Sequence, residues 1–149
     1  MLYSRSWQYA VRILLHLAQL EPGERQSART IAGDIGIPAP YASKILSTLA
    51  NARLVRSQRG PRGGVMIARP AREILLQDVV AAVGEESAMS ECVLGFSACS
   101  DVTPCPVHVV WAQMRQDLRS RLLSRTLEDF RESTASTPAV KPPGRPRRR

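Results

Sequence analysis

No stretch of this chain approaches the roughly 20 consecutive apolar residues that a membrane-spanning helix needs. The most apolar segment, VRILLHLA at residues 11–18, is interrupted by Arg12 and His16, and no small-residue cleavage site of the signal-peptide kind follows it. Both absences lead to the expectation of a cytoplasmic protein with no membrane partner. Cysteine is scarce too. Three residues, an odd number, all within positions 92–105, do not make a disulfide framework and point instead to thiolate or metal chemistry in a reducing compartment. The paired C-x2-C knuckles common in structural zinc sites are also missing. The third shortage is local: residues 25–72 hold one acidic side chain, Asp34, against nine lysines and arginines. Residues 73–133 reverse the balance, with ten acidic against five basic. Five further cations lie from Lys141 onward, so only +3 of the formal charge of +8 belongs to the rest of the chain. Positive charge confined to one stretch implies a polyanion on one side of the molecule, and nucleic acid is the natural partner.

What is present in that stretch has a pattern. Ala42, Ile45, Leu46 and Leu49 recur at helical spacing, and Pro40, Tyr41, Ser43, Lys44 and Ser47 fall on the other side of the same short helix. Upstream, Ser27 or Ala28 starts a helix through Ile31, Ala32 and Ile35 that stops at Gly36, so helix, glycine turn and second helix form a helix-turn-helix pattern. In such a pair the second helix enters the major groove. Downstream, Leu54–Ser57 and Val65–Ala68 read as strands joined by the basic, glycine-rich Gln58–Gly64. Gly60, Gly63 and Gly64 allow close backbone approach to a polyanion, while Arg59 and Arg62 supply charge. An ordinary surface hairpin gives the same pattern when taken alone; the reading helix beside it favours a DNA-gripping wing. The candidate DNA-binding residues are therefore Ser27, Pro40, Tyr41, Ser43, Lys44, Ser47, Arg56, Arg59, Gly60 and Arg62.

At 149 residues the chain holds one domain and an extension. The expected class is mainly α. Residues 1–84 form a winged helix-turn-helix domain, opened by a helix from Ser4 or Ser6 to about Leu20 and closed by Ile74–Val83. Residues 85–105 lose periodicity and form a long loop carrying the cysteines. From Pro106 a single helix is expected to 132, with a seam of Val107, Trp111, Met114, Leu118 and Leu122 that packs against its copy in a homodimer. Residues 133–149, STASTPAVKPPGRPRRR, have the composition of a disordered basic tail.

Cys92, Cys99, Cys105 and His108 make a C-x6-C-x5-C-x2-H set, a candidate metal site. Three thiolates and an imidazole fill four coordination positions, and soft sulfur selects iron–sulfur clusters, zinc or copper(I). Two other readings stay open: free redox thiols or zinc on the same DNA-binding fold, and a thiol enzyme using Cys105 as nucleophile and His108 as base.

Residues 1 to about 132 resemble the Rrf2 family of bacterial winged-helix regulators, the IscR- and NsrR-like sensors. The resemblance rests on YAVRILLHLA, IAGDIGIPAPYASKIL, LVRSQRGPRGG, ILLQDVVAAV, the three cysteines and TLEDF. It implies a homodimer on a palindromic operator in double-stranded DNA, probed by Pro40 and Ser43 with Arg59 near the minor groove. It further implies regulation, as a repressor, through an iron–sulfur cluster on the three cysteines that senses iron, redox state or nitric oxide. Pro40, Ser43 and Ala50 depart from the IscR pattern, so its operator does not carry over. The first cysteine spacer is one residue longer, whereas Cys105-Pro-Val-His108 matches. Where NsrR-like members supply a carboxylate from helix one, this chain has Gln8. His108 is thus the better fourth ligand, which favours [2Fe-2S] over [4Fe-4S].

Overall fold

The computed structural model describes residues 4–60, 63–96 and 99–134. Arg62 and the basic segment beyond 134 lie outside them.

Helix α1 (Arg5–Ala18) starts where Ser4 turns its hydroxyl back to accept from the amides of Ser6 and Trp7. Its stripe of Tyr9, Ile13, Leu14 and Leu17 is buried and forms the centre of the core. Helix α2 (Ala28–Ile35) is capped by Ser27, whose Oγ accepts from the Thr30 amide at 3.1 Å. It ends at Gly36, which adopts φ 65°, a left-handed conformation that glycine takes without steric cost. Arg12 of α1 donates to the carbonyl of Ile35, placing a cation at the negative end of α2. Helix α3 (Ala39–Asn51) follows after three residues, with Ala42, Ile45, Leu46 and Leu49 buried. The helix-turn-helix pattern is present as read.

Strands β1 (Val55–Gln58) and β2 (Gly64–Ile67) pair antiparallel, with Val55 opposite Ile67 and Gln58 opposite Gly64. Gln26 exchanges two backbone bonds with Val65 on the other side of β2, so β2 is central and β1 is the outer edge. Gly63 and Gly64 serve the protein's own backbone. A Cβ at Gly63 would stand 2.3 Å from the Gln58 carbonyl oxygen, and one at Gly64 would stand 3.0 Å from that of Gln26. This close packing accounts for both residues without any bound polyanion.

Helix α4 (Leu76–Ala82) closes the core with Leu76, Val79 and Val80. Among the described residues, the region between Gly84 and α5 contains one short 3-10 turn, Glu86–Met89, and is otherwise irregular. The single helix expected over 106–132 is replaced by two. Helix α5 (His108–Asp117) begins two residues after Pro106 and runs into a π-helical turn, Leu118–Leu123. The chain then breaks, and α6 (Leu127–Thr134) starts afresh. The cause is tertiary: Leu75 and Thr126 form a bridge, Leu76 N–H donates to Arg125 O, and Leu127 N–H donates to Ile74 O, both at 2.9 Å. Thr126 and Asp129 exchange side-chain-to-amide bonds, a capping box that restarts the helix. Helix α6 extends two residues, 133 and 134, into the segment expected to be tail. The proposed seam also divides. Trp111 is buried within its own chain, and Leu118 and Leu122 pack on the core, whereas Met114 is exposed.

Leu127 is fully buried and anchors α6, which packs on α1 and on the turn Ala71–Glu73. Leu127→Ala should cost about 2–5 kcal/mol in urea unfolding. A loss below about 1 kcal/mol would mean that α6 is not docked on the core.

Candidate nucleic-acid interface and metal centre

The exposed side of α3 carries Pro40, Tyr41, Ser43, Lys44 and Ser47 together, because its buried residues occupy the opposite stripe. Their local engagements differ. Ser43 Oγ donates to Ala39 O at 3.1 Å, so its proton is held within the helix while its lone pairs face outward. Tyr41 is less available than its place in the pattern indicated: its ring stands edge-on to Tyr9 at 5.4 Å, and its hydroxyl lies 3.2 Å from Ser6 Oγ. It ties the start of α3 to α1. Lys44 and Ser47 are open to solvent, and Arg56, Arg59 and Gly60 are exposed on the wing beside them. Ser27 is exposed at the start of α2, with its hydroxyl engaged in the cap. Nine of the ten candidate DNA-binding residues thus lie on described surface, Arg62 excepted.

The cysteine segment folds against α5. His108 is buried at the start of that helix, with Nδ1 3.3 Å from Cys99 Sγ and Nε2 2.7 Å from Asp101 Oδ1. A carboxylate only accepts, so Nε2 carries the proton that meets Asp101 and Nδ1 is the nitrogen that faces the sulfur. Asp101 is itself solvent-exposed; its contact orients the ring more than it stabilises the fold. Cys105 meets His108 through the backbone, its carbonyl accepting from the His108 amide at 3.0 Å. The side-chain partner of the imidazole is therefore Cys99, and the Cys105–His108 dyad of the thiol-enzyme reading is not what the fold brings together. The reason is that α5 begins at His108: Cys105 lies in the turn before it, where one-turn helical spacing does not operate.

Arg115 is a participant that periodicity placed only as a flank of the seam. Its guanidinium donates to Ser90 O at 3.2 Å, reaches Cys99 Sγ at 3.8 Å and lies over the Trp111 ring at 5.8 Å. Trp111 Nε1 donates to Glu91 O at 3.0 Å. Two residues one turn apart on α5 thereby hold the loop at Ser90 and Glu91. Cys92 sits in the next turn. The amide of Leu94, then that of Phe96, holds its thiol below the ordinary cysteine value, with lesser help from Gly95 and Arg115 against slight desolvation.

The donor set fits a thiophilic metal in its chemistry and, in part, in its geometry. A tetrahedral ion about 2.3 Å from sulfur and about 2.0 Å from nitrogen separates those donors by roughly 3.5 Å, close to the 3.3 Å between Cys99 and His108. A carboxylate on the remote histidine nitrogen is the usual outer partner of a metal-bound imidazole. Among the described residues, however, no three His, Cys, Asp or Glu side chains are close enough to share one ion. Cys92 and Cys105 would have to close onto the Cys99–His108 pair.

The family model described as an iron-dependent transcriptional regulator, Rrf2, matches residues 3–133. The chain belongs to the Rrf2 family. A relative from Mycobacterium tuberculosis, described as an HTH-type transcriptional regulator, is 36% identical over 123 residues, 82% of this chain and 76% of its own. The solved structure of IscR from T. potens superposes with a TM-score of 0.71 at 27% identity, covering 91% of this chain and 90% of that one. The oxidized form of CymR from Staphylococcus aureus gives 0.68, also at 27%, over 87% and 94%. As an Rrf2 protein the chain is a DNA-binding transcriptional regulator, in a family that does not consist of enzymes. No helix among its described residues is long and apolar enough to cross a membrane.

The low thiol pKa of Cys92 has a measurable sign. In metal-free protein its thiolate forms at lower pH than that of an unstructured cysteine peptide, so alkylation by iodoacetamide should rise at correspondingly lower pH when followed by mass spectrometry. Coincidence of the two pH curves would remove the amide cradle around its sulfur.

Proposed function

We propose that this Rrf2 protein is a homodimeric repressor of palindromic operators whose DNA affinity is set by an iron–sulfur cluster on its cysteine segment. Cys92, Cys99 and Cys105 would hold the cluster with His108 as fourth ligand, and [2Fe-2S] is favoured over [4Fe-4S]. The observation that carries this reading is the Cys99–His108 pair with its Asp101 contact, an imidazole oriented with Nδ1 toward sulfur and Nε2 toward a carboxylate. The iron-dependent description of the family and the likeness to IscR support it. When bound, such a cluster supplies a centre that changes charge with redox state and reacts with nitric oxide.

The residues of the chain supply the coupling. Glu85, where the cysteine segment begins, accepts from both the amide and the hydroxyl of Ser4, the cap of α1. Two residues along, Ser6 meets Tyr41 at the start of α3. On the other side, Trp111 and Arg115 bind the segment to α5. A change in the donors around Cys99 therefore acts on both the reading helix and the dimer helix. Two dimer-related reading helices need a spacing of about 34 Å, or a multiple, so a modest rotation alters affinity.

A second reading has its own observation. The low pKa of Cys92 favours thiol oxidation, and a CymR structure is described as an oxidized form. Cluster-free redox switching then replaces the metal. Anaerobic purification with iron and sulfide counting separates the two. Under the cluster reading, Cys92→Ser, Cys99→Ser and Cys105→Ser each lose the bound iron and the signal-dependent change in DNA affinity, yet remain folded. Serine variants that keep the parent's iron content would dismiss the cysteines as ligands.

The dimer has a testable face as well. Val110 and Met114 are 61% and 48% exposed and lie one turn apart on α5, contiguous with Val107. Met114→Asp would bury an anion beside its symmetry mate in the dimer and should shift sedimentation toward monomer. A variant that stays dimeric would relocate the interface.

A further inference from the structure

Among the described residues, Arg53 is the one non-glycine with positive φ, 58°. It directly follows Ala52, the C-cap of α3, where the chain must reverse sharply. Its amide donates to Ala50 O at 3.0 Å, and that of Leu54 donates to Leu49 O at 2.9 Å, the paired bonds of a left-handed helix stop. Leu54 and Val55 are buried immediately afterwards, which fixes the turn. Glycine is the usual occupant of such a position, because an L side chain crowds the following carbonyl. An arginine there carries a strain that glycine would avoid. Strain of this kind concentrates where a side chain has a task.

The surroundings indicate the task. Arg53 lies on a concavity of about 920 Å3 between the end of α3 and the outer strand β1, lined by Ala50, Ala52 and Ala68 together with Arg53, Arg56 and Arg69. The small side chains leave room, and the arginines make the lining cationic. Arg69 is paired with Asp78 at 3.2 Å; among the described residues, no ion pair engages Arg53 or Arg56. Ser43, Ser47 and Ala50 are spaced at i, i+4 and i+7 on α3, so the exposed reading stripe runs directly into the concavity. The carbonyl end of α3 alone disfavours anions there. The two unpaired guanidiniums reverse that field.

We propose that this concavity binds a phosphodiester of the DNA backbone flanking the read sequence, with Arg53 as its principal cation and Arg56 beside it. The proposal rests on the DNA-binding character of the family, not on the cluster. It extends the contact surface beyond the wing tip to the opposite end of the reading helix. The alternative role of Arg53 is to offset the carbonyl dipoles of α3, which would affect folding stability and leave DNA affinity alone.

Arg53→Gly separates the two, because it removes the cation while relieving the backbone. The full chain would be titrated by fluorescence anisotropy with a mixed-sequence 30-base-pair duplex across a salt series, with thermal unfolding alongside. The expected result is a several-fold weaker affinity, a log–log salt slope reduced by about 0.9 for one lost phosphate contact, and a melting temperature equal to or above that of the parent. Arg53→Lys should restore most of the slope, since a phosphate contact needs charge more than geometry. Unchanged affinity and slope for Arg53→Gly would overturn the proposal and leave Arg53 a helix-end residue. A parent chain with no salt-dependent binding would overturn the DNA-binding reading beneath it.

Discussion

The burial of one helix face governs this molecule. Tyr9, Ile13, Leu14 and Leu17 of α1 are removed from solvent by α2, α3, α4, β2 and α6 at once. The polar rim of α1 sets the orientation of what packs on it. Ser4 holds Glu85, Ser6 meets Tyr41, Arg12 closes the end of α2, and His16 lies 2.7 Å from the side chain of Gln26, the residue that extends the wing sheet. Each of these bonds is individually worth about 1 kcal/mol or less at a partly exposed site. Their value is directional: they register the reading helix, the wing and the cysteine segment against a common beam. Apolar burial supplies cohesion without direction, so α1 contributes both the adhesive and the alignment.

Local chemistry made the first half of the fold legible. Ser4 and Ser27 were readable as caps, and Gly36 as a stop, because each acts within four residues of its own position. The wing was readable because strands of four residues joined by a glycine-rich turn need no distant partner. The C-terminal half hid its break because the cause is remote in sequence: the backbone of Ile74–Leu76 pairs with that of Arg125–Leu127. One local sign did exist. Thr126-x-x-Asp129 is a capping box, and such a motif inside an apparently continuous helix marks a new start.

The candidate site divides in the same way. The reading residues follow from the amphipathic pattern of α3, whereas the engagement of Tyr41 with Tyr9 and Ser6 depends on how two helices cross. The cysteines and His108 were evident as donors, but their pairing was not, since spacing favoured Cys105 and the fold chose Cys99. Arg115 gave no signal beyond a charge beside an apolar stripe. Its role appears only when Ser90, Cys99 and Trp111 converge on it.

The π-helical turn at Leu118–Leu123 lets one rod serve two masters. A regular α-helix advances about 100° per residue, so a face aimed outward at Val110 and Met114 has a fixed phase relation to every later side chain. The wider turn accommodates an additional residue and resets that phase, so that Leu123 enters the core while the upstream face remains outside. It acts as a torsional joint across which the outward-facing half can drift in composition without disturbing how the inward-facing half fits its own domain.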